Sequence, residues 1–446
     1  MTYSRRVALP DVERLLSIPD SALRSLAERL RAVGLSAGLL SKLARTGERL
    51  DDALRAPMRV WHARRMAGPA AAALRGLVLG DPVDRDEARA ALGDVEPFVD
   101  HGLLEERDGG LVSPFHLAIL GDVYCLGDRV GTGGVLPVGG VTVELARAAM
   151  PRAPVGAALD LGCGAAPIAL LFARAARRVV ATDVDPRALA LARLNLRLAG
   201  VTNVELRQGD LFDPVRGERF DVVAAQPPFV ALRPDAARST FAHGGARGDE
   251  LPLRLLGGVT AHLVARGRAV VASDWPAFEG DPLDGRVRAA LGEARANAAI
   301  LASPSKNLDE YCTLYAAAEH STLDAAFARA AMEQRDHLDA LGVRGIGFAI
   351  VVVEPAVASP WTALVPVRHP SDAPVTGEAL DRIVSAQALA RADWTAIAAA
   401  TLRTAPGSRR VDQPAKGGAP ASMIVQPAAG RPEPPAVLDA DAAPII

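Results

Sequence analysis

LDLGCGAAPIALL, residues Leu159 to Leu171, reads as a buried strand, a glycine turn and the opening of a helix. Two closely spaced glycines, Gly162 and Gly164, let the backbone turn sharply and let a ligand lie against it without Cβ atoms in the way. Such βα turns receive nucleotide-like ligands, and the dinucleotide pattern uses three glycines. Here the third position holds Pro167. That residue cannot give the close helix–strand packing a bound pyrophosphate requires. What remains is D-x-G-x-G, with Asp160 ending the strand.

Working outward, two further predicted strands also end in acids. Asp183 closes RVVATD, and Asp210 closes the strand in NVELRQGD. Carboxyl ends of successive strands are where open α/β sheets bind ligands. Asp160 suits a cationic group better than a phosphate, and Asp183 is placed to accept both hydroxyls of a ribose. Asp210 is placed to accept an adenine amino group, with the Leu211 amide facing a ring nitrogen. An adenosine carrying an ammonium and a sulfonium fits this set, which points to S-adenosylmethionine. The helix after Asp183 is well delimited: Asp185 is a candidate N-cap, Pro186 opens the first turn and Gly200 follows the end.

The fourth strand runs into AAQPPFV. Consecutive prolines donate no N–H and present rigid carbonyls. Gln226 adds a side-chain carbonyl and Phe229 a flat face. Gln226, Pro227 and Phe229 therefore form a candidate catalytic cradle for a planar N–H₂ group aimed at an electrophilic methyl. In-line displacement at sulfonium depends mainly on alignment, so no strong base is compulsory.

With these residues in place, the chain resembles a known family. DLGCGAAPIAL, ATDVDPRAL, GDLF and FDVVAAQPPFV are similar to successive motifs of class I S-adenosylmethionine-dependent methyltransferases. The likeness is to the HemK-like, or small, N-methyltransferases with an Asn-Pro-Pro-Tyr type motif, here Gln-Pro-Pro-Phe. Within them it extends to protein-glutamine (release-factor) and rRNA methyltransferases. The resemblance implies that Asp160, Gly162 and Gly164 hold the methionine end, Asp183 the ribose, and Asp210 with Leu211 the adenine. It also implies that Gln226 touches both cofactor and acceptor, that Pro227 holds the acceptor and that Phe229 stacks on it. FAHGGARGDELPLRLL resembles the Gly-rich segment after the Pro-Pro motif, and makes His243 a candidate base or acceptor-binding group.

Two departures stand out. The family usually has Asn, Asp or Ser where this chain has Gln226, one methylene longer. The family's Pro-Arg-Pro-Glu type stretch is replaced by VLPVGGVTVE, residues Val135 to Glu144. An amide or amine nitrogen of a protein, peptide or nucleic acid is the leading acceptor. A specialised small molecule or peptide, with N or O as acceptor atom, stays open. So does a non-catalytic S-adenosylmethionine-binding module.

The rest of the chain sets the frame. Its 446 residues, half of them hydrophobic, suit two or three folded domains. Residues 1–125 are expected to form a helical, winged-helix-like domain: helical segments around SALRSLAERLRAVG (with Ser21 as N-cap), DRDEARAAL and DVEPFVDHGLLEER, then a Gly-turned hairpin. Residues 126–356 are expected to form a Rossmann-like seven-stranded methyltransferase sheet with helices on both faces. Its strands are GAALDLG, RVVATD, NVELRQGD, FDVVAAQ, GRAVVASD, YCTLYAAA and GIGFAIVVVEP. Residues 357–446 are expected to be a partly Pro-rich, irregular C-terminal extension. They can form helices in TGEALDRIVSAQALARADWTAIAAATLR and a small hairpin around SMIVQP, but residues 405–446 hold eight of the 33 prolines.

Charge and composition exclude several classes. Net charge is −2, and residues 1–110 hold 17 basic and 17 acidic side chains, so no strong nucleic-acid footprint exists. The local basic cluster RAPMRVWHARR reads as a solvated helix face with Trp61 turned inward, with a nucleic-acid or acidic-partner contact as the alternative. Three scattered cysteines give neither a disulfide framework nor a metal site, and Cys163 reads as a small residue beside the cofactor. The apolar run IGFAIVVV is too short to span a bilayer. A cytoplasmic enzyme without metal or membrane contact is the expectation.

Overall fold

The computed structural model describes residues 9–44, 52–129, 134–231, 233, 244–320, 323–357, 359–368, 374–389, 391, 409–413, 422–426, 432 and 436–439. Up to Asp100 the regular elements among the described residues are helices. Spacings of three and four place Leu23, Leu26 and Leu30 on the buried face of helix Asp20–Ala32. Ser21 is not its cap: Pro19 holds the cap position, and no side chain caps the helix. Helix Arg85–Leu92 is capped by Asp84, whose carboxylate accepts the Asp86 and Glu87 amides. Helix Glu96–Asp100 follows.

The expected hairpin is present as β1 (Glu105–Arg107) and β2 (Gly110–Val112). Its turn residues Asp108 and Gly109 both have positive φ, as a tight hairpin turn requires. A second hairpin, β3 (Phe115–Leu120) with β4 (Val123–Asp128), adds to the expected elements. Trp61 differs from expectation. It is 45% exposed rather than turned inward, and the Arg65 guanidinium covers its ring at 3.6 Å. Arg64 beside it pairs with buried Asp81 at 2.5 Å.

The α/β part is built on one mixed sheet. Its strands are β5 (Val155–Leu161), β6 (Ala176–Asp183), β7 (Val204–Gln208), β8 (Phe220–Ala225), β9 (Leu263–Phe278), β10 (Ala296–Ala302), β11 (Val343–Pro355) and β12 (Thr362–Pro366). They lie in the order β12-β10-β11-β9-β8-β5-β6-β7. Strands β7, β6, β5, β8 and β9 run parallel in succession, and β11 is antiparallel to both β9 and β10. Side chains alternate between two cores. Val222 and Ala224 of β8 join Phe172, Leu145 and Val270 on one face, while Val223 and Ala225 join Leu255, Val259 and Val271 on the other. Both faces are covered, so these strands read as near-continuous apolar runs. IGFAIVVV is one of them, the interior of β11.

Three expectations need correction. YCTLYAAA is not a strand: it lies in helix Leu308–Glu319, which Asn307 caps through its bond from the Asp309 amide. The strand belongs instead to ANAAILA, β10, whose alanines suit a helix equally well until burial on both faces decides. The sheet has eight strands rather than seven, because β12 pairs in parallel with β10. Finally, described residues of the expected extension join the sheet and its core, β12 by pairing with β10 and a helix from the stretch expected to be helical. Helix Gly377–Leu389 brings Leu380, Ile383 and Val384 into the sheet's core. Strands β13 (Arg409–Gln413), β14 (Ser422–Gln426) and β15 (Ala436–Asp439) form an antiparallel sheet around the expected SMIVQ hairpin. Among the described residues, no helix is long and apolar enough to cross a membrane, and no metal-ligating cluster occurs.

Candidate active site

The turn after β5 is held by its neighbour β6. Gly162 and Cys163 both donate their amides to the Thr182 carbonyl, at 2.9 and 2.8 Å. Gly162 and Gly164 have φ of 71° and 53°, which glycine adopts without strain. A Cβ at Gly162 would meet no atom within 4 Å, so this turn faces open space. Asp160 is 3% exposed and accepts the Ala169 amide at 2.8 Å, near the start of helix Pro167–Phe172. Burial pushes its carboxyl up to about 7, against that N–H bond, and Asp183 adds to the rise. Pro167, the residue that breaks the dinucleotide pattern, is the first residue of this helix.

Asp183 organises the same loop. Its two oxygens accept the Gly164 amide at 2.8 Å and the Asp185 amide at 2.9 Å. Burial raises its carboxyl above the ordinary value, the two N–H bonds oppose the rise, and Asp185 adds to it. The helix that follows has the expected limits: Asp185 caps it, Pro186 is its first residue and Gly200 ends it at φ 66°. Two neighbouring carboxyls, both raised by burial, are relieved by a cation placed beside them. An ammonium or sulfonium therefore suits this edge, and a phosphate does not.

Asp210 lies beyond β7, exposed, and paired with Arg254 of helix Glu250–Val259. Leu211 next to it has φ 44°. Of the three described non-glycine residues with left-handed φ, two, Ala166 and Leu211, lie along this edge. Such strain persists where surrounding structure over-determines it, commonly at ligand sites.

At the end of β8, Gln226 is half-buried, Pro227 buried and Phe229 half-buried. Gln226 Oε1 accepts a hydrogen bond from Thr142 Oγ1 at 2.8 Å, from helix Gly140–Ala149. Phe229 packs against a cluster with Val230, Leu308, Tyr311 and Leu338. The Gly-rich segment closes on the same loop. Gly244 donates to the Val230 carbonyl at 3.0 Å, and a Cβ at Gly244 would come within 2.6 Å of Phe229 Cα. That close approach explains glycine at this position. His243 lies outside the described residues.

Several contributors are not legible from motifs. Gln334, on helix Ala325–Ala340, donates to the Ala231 carbonyl at 2.5 Å and is 6% exposed. His337 on the same helix contacts the Ala246 carbonyl at 3.3 Å. One helix thus grips both sides of the segment after Phe229. Beside the glycine turn, fully buried Asn195 donates to the Ala165 and Leu126 carbonyls at 2.9 Å each and accepts the Leu126 amide at 2.8 Å. It ties the glycine loop to β4. Cys163 is buried with its thiol pushed well up by that burial, which fits a small packing residue and not a nucleophile.

Residues 143–244 match the family model for the methyltransferase small domain. The chain is 33% identical over 144 residues to the release factor glutamine methyltransferase of Xylella fastidiosa (strain Temecula1), covering 30% of this chain and 52% of the relative. It is 36% identical over 121 residues to that of Geobacter sulfurreducens, covering 25% and 42%. The chain therefore spans about half the length, or less, of the curated relatives it matches. Among solved structures, it is similar to wild-type Trm5b from Pyrococcus abyssi, at 13% identity and a TM-score of 0.34, with 56% and 62% of the two chains covered. The motif-based resemblance to class I S-adenosylmethionine-dependent methyltransferases of the HemK type is borne out, with a methyltransferase small domain as its matched part.

Proposed function

We propose that this protein transfers a methyl group from S-adenosylmethionine to a nitrogen, foremost a side-chain amide nitrogen of a protein. One observation carries the reading: Asp160, Asp183 and the Gln226–Phe229 run lie at the carboxyl ends of the adjacent parallel strands β5, β6 and β8. When bound, S-adenosylmethionine supplies an electrophilic methyl on sulfonium. Asp160 and the Gly162–Gly164 turn receive the charged methionine end, Asp183 takes the ribose hydroxyls, and Asp210 with the Leu211 amide takes the adenine. Gln226 and the Pro227 carbonyl accept the acceptor's N–H bonds and aim its lone pair, while Phe229 stacks on its plane. Alignment of this kind supplies much of the acceleration in a displacement between two bound groups.

The relatives' printed names favour a release factor as acceptor. A specialised small molecule or peptide remains the second reading, favoured by VLPVGGVTVE in place of the family stretch. We read residues 1–125 as the N-terminal domain, 126–356 as the main part of the methyltransferase domain and 357–446 as an extension whose β12 and helix Gly377–Leu389 complete that domain's sheet and core. The two helices, the β1–β2 hairpin and the Val83–Leu111 bridge support a winged-helix-like N-terminal domain. Three buried, unpaired cysteines fit a reducing cytoplasm.

The test uses the full chain. Calorimetry with S-adenosylmethionine is expected to give one site per chain. Methyl-labelled cofactor is then expected to label recombinant release factor or the protein fraction of a cell extract. Label in the small-molecule pool alone would favour the second reading. Tight binding with label in no fraction would favour a non-catalytic module, and absence of binding would overturn the proposal. Gln226→Ala is expected to slow transfer by about 100-fold with cofactor affinity changed by less than about threefold, as for loss of an aligning contact.

A further inference from the structure

The two places where this chain departs from the family pattern touch each other. Gln226 carries the extra methylene, and Thr142 belongs to the replaced stretch VLPVGGVTVE. Their side chains meet at 2.8 Å, 84 residues apart in sequence. Thr142 is 7% exposed and lies in the first turn of helix Gly140–Ala149, whose Leu145, Ala146 and Ala149 are locked into the core beside Val222 and Ala224 of β8.

A glutamine has one more rotatable bond than an asparagine, so an unheld Gln226 amide would sample several positions. A threonine on a packed helix is the opposite, with χ1 restricted by its β-branch. The hydroxyl therefore reaches Gln226 from a fixed point and holds the carbonyl oxygen. That bond uses one lone pair of Oε1. The second lone pair and both Nε2 hydrogens remain for other partners. The bond thereby limits the freedom that the extra methylene brings.

We infer that Thr142 is a positioning residue for Gln226, and that the pair restores the acceptor alignment the longer side chain would lose. This rests on the methyl-transfer reading above. Thr142 touches neither cofactor nor acceptor in this role and acts through Gln226 alone.

The experiment compares the full-length wild type with Thr142→Val, isosteric but unable to donate, and Thr142→Ser, which keeps the hydroxyl. Melting temperature and S-adenosylmethionine affinity are measured for each, with methyl transfer to recombinant release factor and to extract protein. The expected result is a fall in kcat of about tenfold in Thr142→Val, the scale of one lost hydrogen bond. KM for the cofactor should stay within about twofold, and Thr142→Ser should lie close to wild type. Equal kcat in wild type and Thr142→Val, or equal losses in both variants, would overturn the inference.

A second readout does not depend on turnover. With ¹⁵N-glutamine labelling, the Gln226 side-chain NH₂ pair is assigned through Gln226→Asn. It should occupy a distinct, ordered position in wild type and Thr142→Ser, and collapse toward exposed glutamines in Thr142→Val. An unchanged NH₂ pair in Thr142→Val would overturn the pairing even if the wild type methylates nothing tested. Failure of the wild type to bind cofactor would strike the methyl-transfer reading, while the NH₂ pair still decides the contact.

Discussion

The two halves of the site edge are built differently. On the half proposed to hold the cofactor, carboxylates are fixed by nearby backbone amides: Asp160 by Ala169, Asp183 by Gly164 and Asp185. On the half proposed to hold the acceptor, described residues after β8 are fixed by side chains arriving from distant elements: Thr142 on Gln226, Gln334 on Ala231 and His337 on Ala246. Backbone fixation is local, so it appears as a short motif. Side-chain fixation depends on which helix the fold brings alongside, so it can change with the substrate while the cofactor half stays the same.

The largest expected effect tests whether the cofactor half is shaped for a cation. Burial holds the Asp160 carboxyl at about 7, against an ordinary 3.8. The folded state therefore binds more protons than the unfolded state between pH 4 and 7, and stability falls as pH rises through that window. This contribution is fully present below about pH 4 and lost above about pH 7. Its size is on the order of a few kcal/mol. Asp160→Asn should flatten most of the fall in melting temperature, leaving the smaller part due to Asp183, which shifts the same way. Saturating S-adenosylmethionine should flatten it in the wild type too, by supplying positive charge. A wild-type melting temperature independent of pH from 4 to 8 would break this half of the comparison.

Next in size is Asp183→Ala. It removes the acceptor of two loop amides together with the proposed ribose contact, and charged hydrogen bonds contribute about 1.5–3 kcal/mol each. Calorimetry should show S-adenosylmethionine binding weakened by about 100-fold. A loss below about threefold would mean the loop is held by Thr182 and Asn195 without it.

Gln334→Leu addresses the other half. It leaves the buried Ala231 carbonyl without its side-chain donor, a cost of about 1–3 kcal/mol that falls on the acceptor loop. Methyl transfer should slow by about tenfold, with cofactor affinity unchanged. A parallel loss of cofactor affinity would show that the two halves are coupled and the distinction is too sharp.

The same distinction explains what the sequence disclosed. The order of strands β5 to β9, the helix limits Asp185, Pro186 and Gly200, and the carboxylates at strand ends were all legible, because each is set within a few residues. Strand β10 was not. ANAAILA and YCTLYAAA are both short apolar runs of mixed propensity, and only the Asn307 cap and burial between β11 and β12 separate helix from strand. Strand β12 was obscured by the prolines around it, whereas helix Gly377–Leu389 falls in the stretch expected to be helical. Thr142, Asn195 and Gln334 carried no signal, since a polar residue acquires its partner through tertiary contact. Trp61 went the wrong way for a related reason: a tryptophan can be covered by a neighbouring arginine as well as by a core.

The smallest effect concerns Asp210, the one cofactor-side acid held by a side chain rather than by the backbone. Arg254 pairs with it across an exposed surface, and exposed pairs contribute at most about 1 kcal/mol. In Arg254→Ala the carboxylate is free to accept the adenine amino group without competition. Affinity for S-adenosylmethionine should then tighten by no more than about threefold, and less at high salt, where the pair is already screened. Weaker binding in Arg254→Ala would place the guanidinium itself against the adenine. The proposed adenine side would then share the construction of the acceptor half, and side-chain-held segments beyond β7 and β8 would flank the backbone-held loops of β5 and β6 on both sides.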